Sequence, residues 1–418
     1  MLLPGSSGSR KRRYGFVEGA QYNGRTGWLH VMTLIAPEWN EARRRAHASG
    51  QILGTQIIAV RCGDRRVLAE QVHARTPLPP HDSSAMDGWA VCGPGPWSVM
   101  AQVLAGAVPD TALTLGTAMA IATGAQLPAN TSGILRTEHG HLSDTGMLTG
   151  DVSRGQDIRP SGEEAETGTS LIAGGTLLTP GHLGLAAAAG YDEIRVVCRP
   201  TACYLVFGDE LLRSGRARDG KVRDSLGQQI PAWLDRLGVD VVGVSWVGDT
   251  LDAHVHALDE CTDVDVVVTS GGTASGPVDY LRQALALTSG GLVVDTVAVR
   301  PGHPMLLGRW AGPRWLLGLP GNPQAAIAAL LTLGDPLVAA LHGRSLPVLG
   351  QRRLTESVTS RGNVTRLVLC ASSGGEATPT AYIGSGMLRG LTTADGYAVV
   401  PPGGATLGDQ VPWLALPN

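Results

Sequence analysis

Lysine is almost missing from this 418-residue chain: Lys11 and Lys221 are the only lysines among 33 basic residues, and the rest are arginine. No Walker lysine loop and no Gly-x-Gly-x-x-Gly is present, so P-loop and ordinary Rossmann readings fail. The six cysteines, Cys62, Cys92, Cys198, Cys203, Cys261 and Cys370, include no Cys-x-x-Cys, which argues against a disulfide framework or a zinc ribbon. Net charge is small, at −3, so no strong field for nucleic acid or an anionic membrane is expected. With 43% hydrophobic and 17% charged residues, disorder is excluded as the main state. The 57 glycines follow no Gly-x-y period, which excludes collagen. No apolar signal-peptide core is seen near the N-terminus. The most apolar helix-like stretch, 324–341, is broken by Gly334-Asp335-Pro336 and reads as a core helix that stops, not a membrane span. The expectation is a cytoplasmic chain with neither nucleic-acid nor membrane partners.

What is present falls into blocks. Residues 1–30, with the run Arg10-Lys11-Arg12-Arg13, lack periodicity and read as a solvated flexible extension. A helix is predicted over 39–51, followed by runs over 56–60 and 65–72 that frame the start of a layered unit and by the extended linker Thr76-Pro77-Leu78-Pro79-Pro80. Short β-like runs at 99–105, 118–122 and 133–137 predict a small β domain. From residue 196 the texture changes. Strands at 201–207, 239–247, 264–269 and 315–319 alternate with helices at 223–237, 252–260 and 279–287 and a long Ala/Leu helix, which predicts a parallel α/β sheet. Pro231 is expected to kink or restart the helix that contains it. The tail, 354–416, reads as a small β barrel or sandwich.

In open α/β sheets ligands bind beyond the carboxyl ends of the strands. Three such ends stand out here: Gly208-Asp209-Glu210, Ser270-Gly271-Gly272-Thr273-Ala274-Ser275-Gly276, and Pro320-Gly321-Asn322-Pro323. Glycines let backbone N–H groups converge on an anion, and the carboxylates suit Mg²⁺ held against phosphates. A phosphorylated ligand with a metal is the expectation. The pairs His139/His141 and His254/His256 read as surface histidines, because residues two apart on a helix do not share a face.

Several motifs occur together and in order. They are Ser84-Ala85-Met86-Asp87-Gly88-Trp89-Ala90-Val91, Ala122-Thr123-Gly124-Ala125-Gln126-Leu127-Pro128, and Gly155-Gln156-Asp157-Ile158-Arg159-Pro160-Ser161-Gly162-Glu163-Glu164. Gly208-Asp209-Glu210-Leu211, Thr269-Ser270-Gly271-Gly272, Val278-Asp279-Tyr280 and Arg300-Pro301-Gly302-His303-Pro304 follow. Leu319-Pro320-Gly321-Asn322-Pro323, Gly384-Ser385-Gly386-Met387-Leu388 and Ala394-Asp395-Gly396 complete the set. From about residue 36 onward the chain resembles the molybdopterin molybdenumtransferase family, which includes the gephyrin E domain.

The resemblance implies an α/β plus β multidomain chain. A flexible extension occupies 1–35. An elongated domain is made from 36–75 and 155–196, with a small β domain, 76–154, inserted. A parallel-sheet molybdopterin-binding domain spans 197–345 and a C-terminal β barrel 346–418. It also implies a homodimer that inserts molybdate into adenylylated molybdopterin with Mg²⁺, releasing AMP and molybdenum cofactor. A molybdopterin adenylyltransferase and molybdoenzyme acceptors are the implied protein partners. Carried over residue by residue, Asp209, Glu210, Asp224 and Asp279 are the metal candidates. Asp87, Glu164, Asp224, Asp279, Arg300 and His303 are the catalytic ones, with Arg300 and His303 as a clamp for molybdate. Thr123, Ser270, Gly271, Gly272, Thr273, Pro320, Gly321 and Asn322 are expected to contact the pterin phosphate or molybdate. The family commonly carries lysines where Arg300 and His303 stand, an Asp where Glu164 stands, and an Asn two residues after Asp224. The alternatives are a molybdopterin- or molybdate-binding scaffold with little turnover, and a related adenylyltransferase; the domains flanking 196–345 argue against the latter.

Overall fold

The computed structural model describes residues 17–23, 27–310 and 314–417. They divide into two compact units, one of the described residues up to 54 with those from 197 onward and the other of residues 55–196.

The first unit is built on an eight-stranded sheet. Its parallel centre has the strands Asp240–Val247, Thr201–Phe207, Val266–Ser270 and Arg314–Leu319, in that order. The four predicted strands pair in parallel as expected, and antiparallel strands extend the sheet beyond them. Leu306–Trp310 runs antiparallel to Arg314–Leu319, and Gly291–Asp295 runs antiparallel to Leu306–Trp310. A hairpin of Val17–Asn23 and Gly27–Ile35 then completes the edge, pairing parallel to Gly291–Asp295 through Leu34 and Ile35. This corrects the expected flexible extension over 17–23 and 27–35; residues 1–16 and 24–26 lie outside the described residues. The run Trp28-Leu29-His30-Val31-Met32-Thr33-Leu34-Ile35 is rich in β-branched and large apolar side chains, which suit a strand. Two contacts tie this hairpin to the next strand: the backbone pairing at Leu34 and Ile35, and the Thr33 hydroxyl, which donates to Leu292 O at 2.6 Å. A chain beginning at Met32 retains both and is expected to keep the thermal midpoint of the full chain. A drop of several degrees in calorimetry would show that residues before Met32 pack on the body.

Helices cover the sheet. Leu226–Leu237 is a single helix across Pro231, because Leu226, Ile230, Leu234 and Leu237 form one buried stripe on both sides of the proline. The Ala/Leu helix does not stop at Gly334-Asp335-Pro336 either. It runs as Pro323–Ala329, a π turn at Leu330–Gly334, and Asp335–Leu341. The wide turn accommodates the missing N–H of Pro336. Within it the Thr332 hydroxyl donates to Ala328 O at 2.6 Å and accepts from the Trp39 indole at 2.8 Å. Pro323–Leu341 is long and apolar enough to cross a membrane by length and composition, but 94% of its most apolar window is buried inside the protein. The helix Trp39–Ser49 packs in this same core, with Trp39, Ala42 and Ala46 buried.

The C-terminal strands Thr365–Ser373, Glu376–Pro379, Gly350–Leu354, Gln410–Ala415 and Gly396–Val400 close into a barrel, since the last pairs back with the first. Alternation serves two cores: Val368 and Cys370 face the barrel interior, while Leu367 and Leu369 face the core under the sheet.

In the second unit a six-stranded sheet runs in the order His141–Leu142, Met147–Thr149, Trp97–Val103, Thr117–Ile121, Gly88–Val91, Gly133–Arg136. Ala90, Met119 and Ile134 pack on one face; Val91, Ala118 and Leu135 pack on the other. A separate core joins Val60, Leu68 and Val72 to Ile172, Leu178, Ala186 and Ile194, so the two ends of this unit share one hydrophobic cluster.

Candidate functional site

Register brings the strand ends of the first unit to one edge. Ser270 lies opposite Leu319 on one side and Val206 on the other, so the chain leaves three adjacent strands at Gly208, Gly271 and Pro320. The central loop turns at once. Gly271 and Gly272 have φ of +88° and +65°, in the left-handed region. A Cβ on Gly271 would lie 2.8 Å from Phe207 O, and Gly321 comes close enough that its own Cβ would lie 3.8 Å from Gly271 Cα. The Gly271 N–H donates to Leu319 O at 3.0 Å, which locks the two turns together.

The side chains beneath are committed. The buried Tyr204 hydroxyl donates to Ser270 Oγ at 2.7 Å, and desolvation holds the Tyr204 pKa above its ordinary range. Thr273 is buried. Arg282 donates from Nη1 to Thr273 O at 2.7 Å and Ala274 O at 2.8 Å, and is itself held by Asp295 at 2.7 Å. Asp279 accepts from the Gly276 N–H at 2.6 Å. The loop is therefore braced from its own side and from the sheet.

Asp209 and Glu210 are exposed at the end of Thr201–Phe207, and Asp249 accepts the Asp209 N–H at 3.0 Å. Asp224 differs from expectation. It is 3% exposed, and its two oxygens accept from the Gly227 N–H and the Trp246 indole, both at 2.8 Å. That geometry makes it a positioning group at the start of Leu226–Leu237, not a carboxylate open to a cation. Among the described residues, no three His, Cys, Asp or Glu side chains form a group able to hold a metal. Mg²⁺ ordinarily keeps waters and takes one or two carboxylates together with substrate phosphates. Exposed oxygens beside a glycine turn fit that pattern; a protein-only cage does not.

Asn322 and Gly321 are exposed at the head of the Pro323–Ala329 helix. Over them lies a loop from the barrel. The buried Gln324 side chain donates to Tyr382 O at 2.6 Å and Met387 O at 2.8 Å, and its N–H donates to Ser385 O at 2.9 Å. Arg300 and His303 are exposed on the corner after Val299–Arg300. His303 Nδ1 pairs with Val297 O at 2.6 Å; since a carbonyl only accepts, Nδ1 carries the proton. Gly302 packs that corner on the helix, where a Cβ would lie 3.2 Å from Ala325 O.

In the second unit Asp87 and Thr123 meet directly, the Thr123 N–H donating to Asp87 Oδ1 at 2.7 Å, with both residues exposed. A Cβ on Gly88 would fall on Leu135 O, so glycine is required beside Asp87. A bidentate ion pair of Arg136 with Asp157, at 2.7 and 2.8 Å, fixes the neighbouring turn and depresses the Asp157 pKa. Glu164 is exposed, its N–H donating to Leu78 O at 2.8 Å.

Sequence reading missed Arg282, Gln324, Tyr204 and Asp249. It also placed His254 at the surface, whereas His254 is fully buried beneath the Gly271-Gly272 turn. The signal existed: His254 shares a helix face with Ala257 and Leu258, three and four residues on, and both are buried. His256 is exposed as expected and pairs with Glu260 at 3.1 Å.

Comparison with known proteins covers nearly all of this architecture. Residues 38–190 match the model of the MoeA N-terminal region (domain I and II), 203–340 that of a probable molybdopterin binding domain, and 351–416 that of the MoeA C-terminal region (domain IV). A Staphylococcus aureus (strain Mu50) protein named molybdopterin molybdenumtransferase is 28% identical over 356 residues, 81% of this chain and 85% of that protein. One of the same name from Bacillus subtilis (strain 168) is 28% identical over 372 residues, 84% and 86% of the two chains. The crystal structure of the molybdopterin biosynthesis moea protein from Pyrococcus horikosii shares the fold, with a TM-score of 0.76 at 23% identity, covering 92% of this chain and 100% of that one. Three matches in chain order, each on its own structural block, leave one assignment: the chain belongs to the molybdopterin molybdenumtransferase, or MoeA, family.

Proposed function

We propose that this protein is a molybdopterin molybdenumtransferase, which takes adenylylated molybdopterin and molybdate and gives molybdenum cofactor and AMP. The observation that carries the reading is the paired left-handed glycine turn at Gly271-Gly272, locked to Pro320-Gly321-Asn322 at one sheet edge. Backbone donors so arranged suit a phosphate. In this reading Ser270 to Thr273 and Pro320 to Asn322 cradle the pterin's phosphate. Asp209, Glu210 and Asp279 supply oxygens to Mg²⁺, which when bound offsets charge on the phosphates. Asp224 holds the frame behind them. Arg300 brings a permanent positive charge to molybdate. His303 brings Nε2, its other ring nitrogen being engaged with Val297 O. Asp87, with Thr123 and Glu164, acts from the inserted domain.

Reconstitution tests the activity: purified protein, adenylylated molybdopterin, Mg²⁺ and molybdate, with AMP release followed. Molybdate-dependent release is expected. Tight binding of the pterin without AMP release would overturn the reading in favour of a scaffold.

The reading includes a cytoplasmic homodimer, supplied by a molybdopterin adenylyltransferase and serving molybdoenzymes. Family resemblance supports a site shared between two copies, Asp87 from one and Asp279 from the other. Asp87→Ala and Asp279→Ala are each expected to be inactive, and mixing the two with subunit exchange should restore activity to about a quarter of the wild-type level, by random pairing. A monomer mass by light scattering, or no recovery after exchange, would refute the shared site.

A further inference from the structure

His254 is a histidine that the proposed chemistry leaves unused. It is fully buried, on the helix Leu251–Glu260 that covers the strand ends. Its ring stacks on Phe207 with centroids 3.9 Å apart and meets the edge of Tyr280 at 5.8 Å. Nδ1 pairs with Thr250 O at 2.8 Å, and because a carbonyl only accepts, Nδ1 is the protonated nitrogen. Nε2 is left as a bare lone pair with no hydrogen-bond partner among the described residues. It points at the phosphate turn: a Cβ on Gly272 would lie 3.3 Å from it. A buried polar atom without a partner costs roughly 1–3 kcal/mol, so its place directly below an anion-shaped turn calls for a reason.

We propose that His254 is the proton-coupled floor of the Ser270–Thr273 turn: a phosphate monoester dianion binding there draws a proton from solvent onto Nε2. The inference rests on the reading that this turn holds a phosphate, and it specifies the charge form that the turn prefers. No bond to phosphorus changes; the imidazole gains one proton and one positive charge. With no Mg²⁺ at Asp279, the two carboxylates near the ring agree in direction. From the turn before its helix Asp249, and from ahead of Leu281–Leu287 Asp279, both favour the protonated ring. Desolvation is the larger effect and holds the ring below its ordinary value when the turn is empty. The faces toward Phe207, Tyr280 and Gly272 carry no charge. A dianion above the ring adds the attraction that reverses the balance. The pKa therefore rises on binding, and by linkage affinity falls as pH rises from the free-state value to the bound-state value, by up to about tenfold per pH unit for one proton. The form of the substrate in which this phosphorus sits in an anhydride bears less charge there than the monoester left after AMP departs. His254 thereby discriminates between the two.

The test uses the full-length protein with phenyl phosphate as probe. With ¹³C-labelled histidine, the His254 Cε1–H resonance is identified by its loss in His254→Gln and titrated with and without saturating phenyl phosphate. A higher midpoint in its presence is expected. In parallel, the dissociation constant is measured from pH 5.5 to 7.5 for wild type, His254→Gln and His254→Leu. The probe's own ionisation is common to all three, so the extra pH slope of wild type belongs to His254. Amide shifts at Gly271 and Gly272 report whether the probe occupies the turn. If those amides shift while the His254 midpoint stays put, or if all three proteins share one slope, the inference is overturned and the phosphate turn stands. If the amides do not shift at saturating probe, both fail. If His254→Gln does not fold, loss of the resonance in His254→Leu identifies it, and the wild-type titration proceeds on that assignment.

Discussion

Gly271→Ala is expected to lose at least about a hundredfold in AMP release, the scale of a displacement near 1 Å at a reacting group. The residue sits at φ +88°, where an L side chain costs roughly 1–2 kcal/mol. The added carbon would also meet Phe207 O at 2.8 Å. That oxygen belongs to the last residue of a central strand, where Phe207 is held by pairing with Val247. The turn must move instead, taking with it the Gly271 N–H that binds Leu319 O and the register between two of the three strand ends. The stability cost should be on the order of 1–3 kcal/mol, small enough for the variant to fold. Gly184→Ala is the matched control. It lies inside the helix Pro180–Ala188 with nothing within 4 Å of the new carbon, and there alanine should add about 0.5–1 kcal/mol of stability. Equal activity in the two variants would show that the turn's shape does not matter to the reaction.

Arg282→Met should separate binding from turnover. One guanidinium nitrogen accepts the task of tying down Thr273 O and Ala274 O, and the group is oriented by Asp295 thirteen residues on. Methionine keeps the apolar stem and removes the two loop bonds and the ion pair. The loop then loses its brace on the helix side while the Gly271–Leu319 bond remains. The Michaelis constant for the pterin substrate is expected to rise about tenfold with a smaller change in kcat, because a loosened loop weakens binding before it disturbs reacting groups. Stability should fall by about 1–3 kcal/mol, since Asp295 and the part-buried Thr273 carbonyl lose a charged partner, while the exposed Ala274 carbonyl can turn to water. Asp295→Asn keeps a hydrogen-bond acceptor for Arg282 and should show a weaker version of both effects. If kcat fell while the Michaelis constant held, Arg282 would act on the chemistry and not on the loop.

Sequence determined a good deal here. Glycine and acidic residues directly after apolar strands marked three sites, because strand ends in an α/β sheet face the ligand side whatever the loops do. The linear motifs carried the family, since each preserves a local backbone shape that a few residues dictate. Those properties depend on neighbours in the chain and can be read along it. Other properties depend on residues far apart. Whether Asp224 is free for a cation or consumed by Gly227 and Trp246 was decided by a strand twenty-two residues away. Arg282 looks like any helix arginine until Asp295 and the carbonyls of Thr273 and Ala274 converge on it. The helix from Pro323 crosses Gly334-Asp335-Pro336 because burial on all sides and the Trp39–Thr332 bond hold a π turn that local propensity disfavours. The edge hairpin joins the sheet through a pairing with residues 294 and 295, more than 250 positions on. His254 is the sharpest case. It reads as a surface histidine although it shares a helix face with Ala257 and Leu258, and only the packing of Phe207, Tyr280 and Gly272 around its ring set a bare nitrogen under the Gly271-Gly272 turn. Local steric rules fix turns and elements; the protonation state and use of a side chain follow from the dielectric and the partners that tertiary packing brings to it.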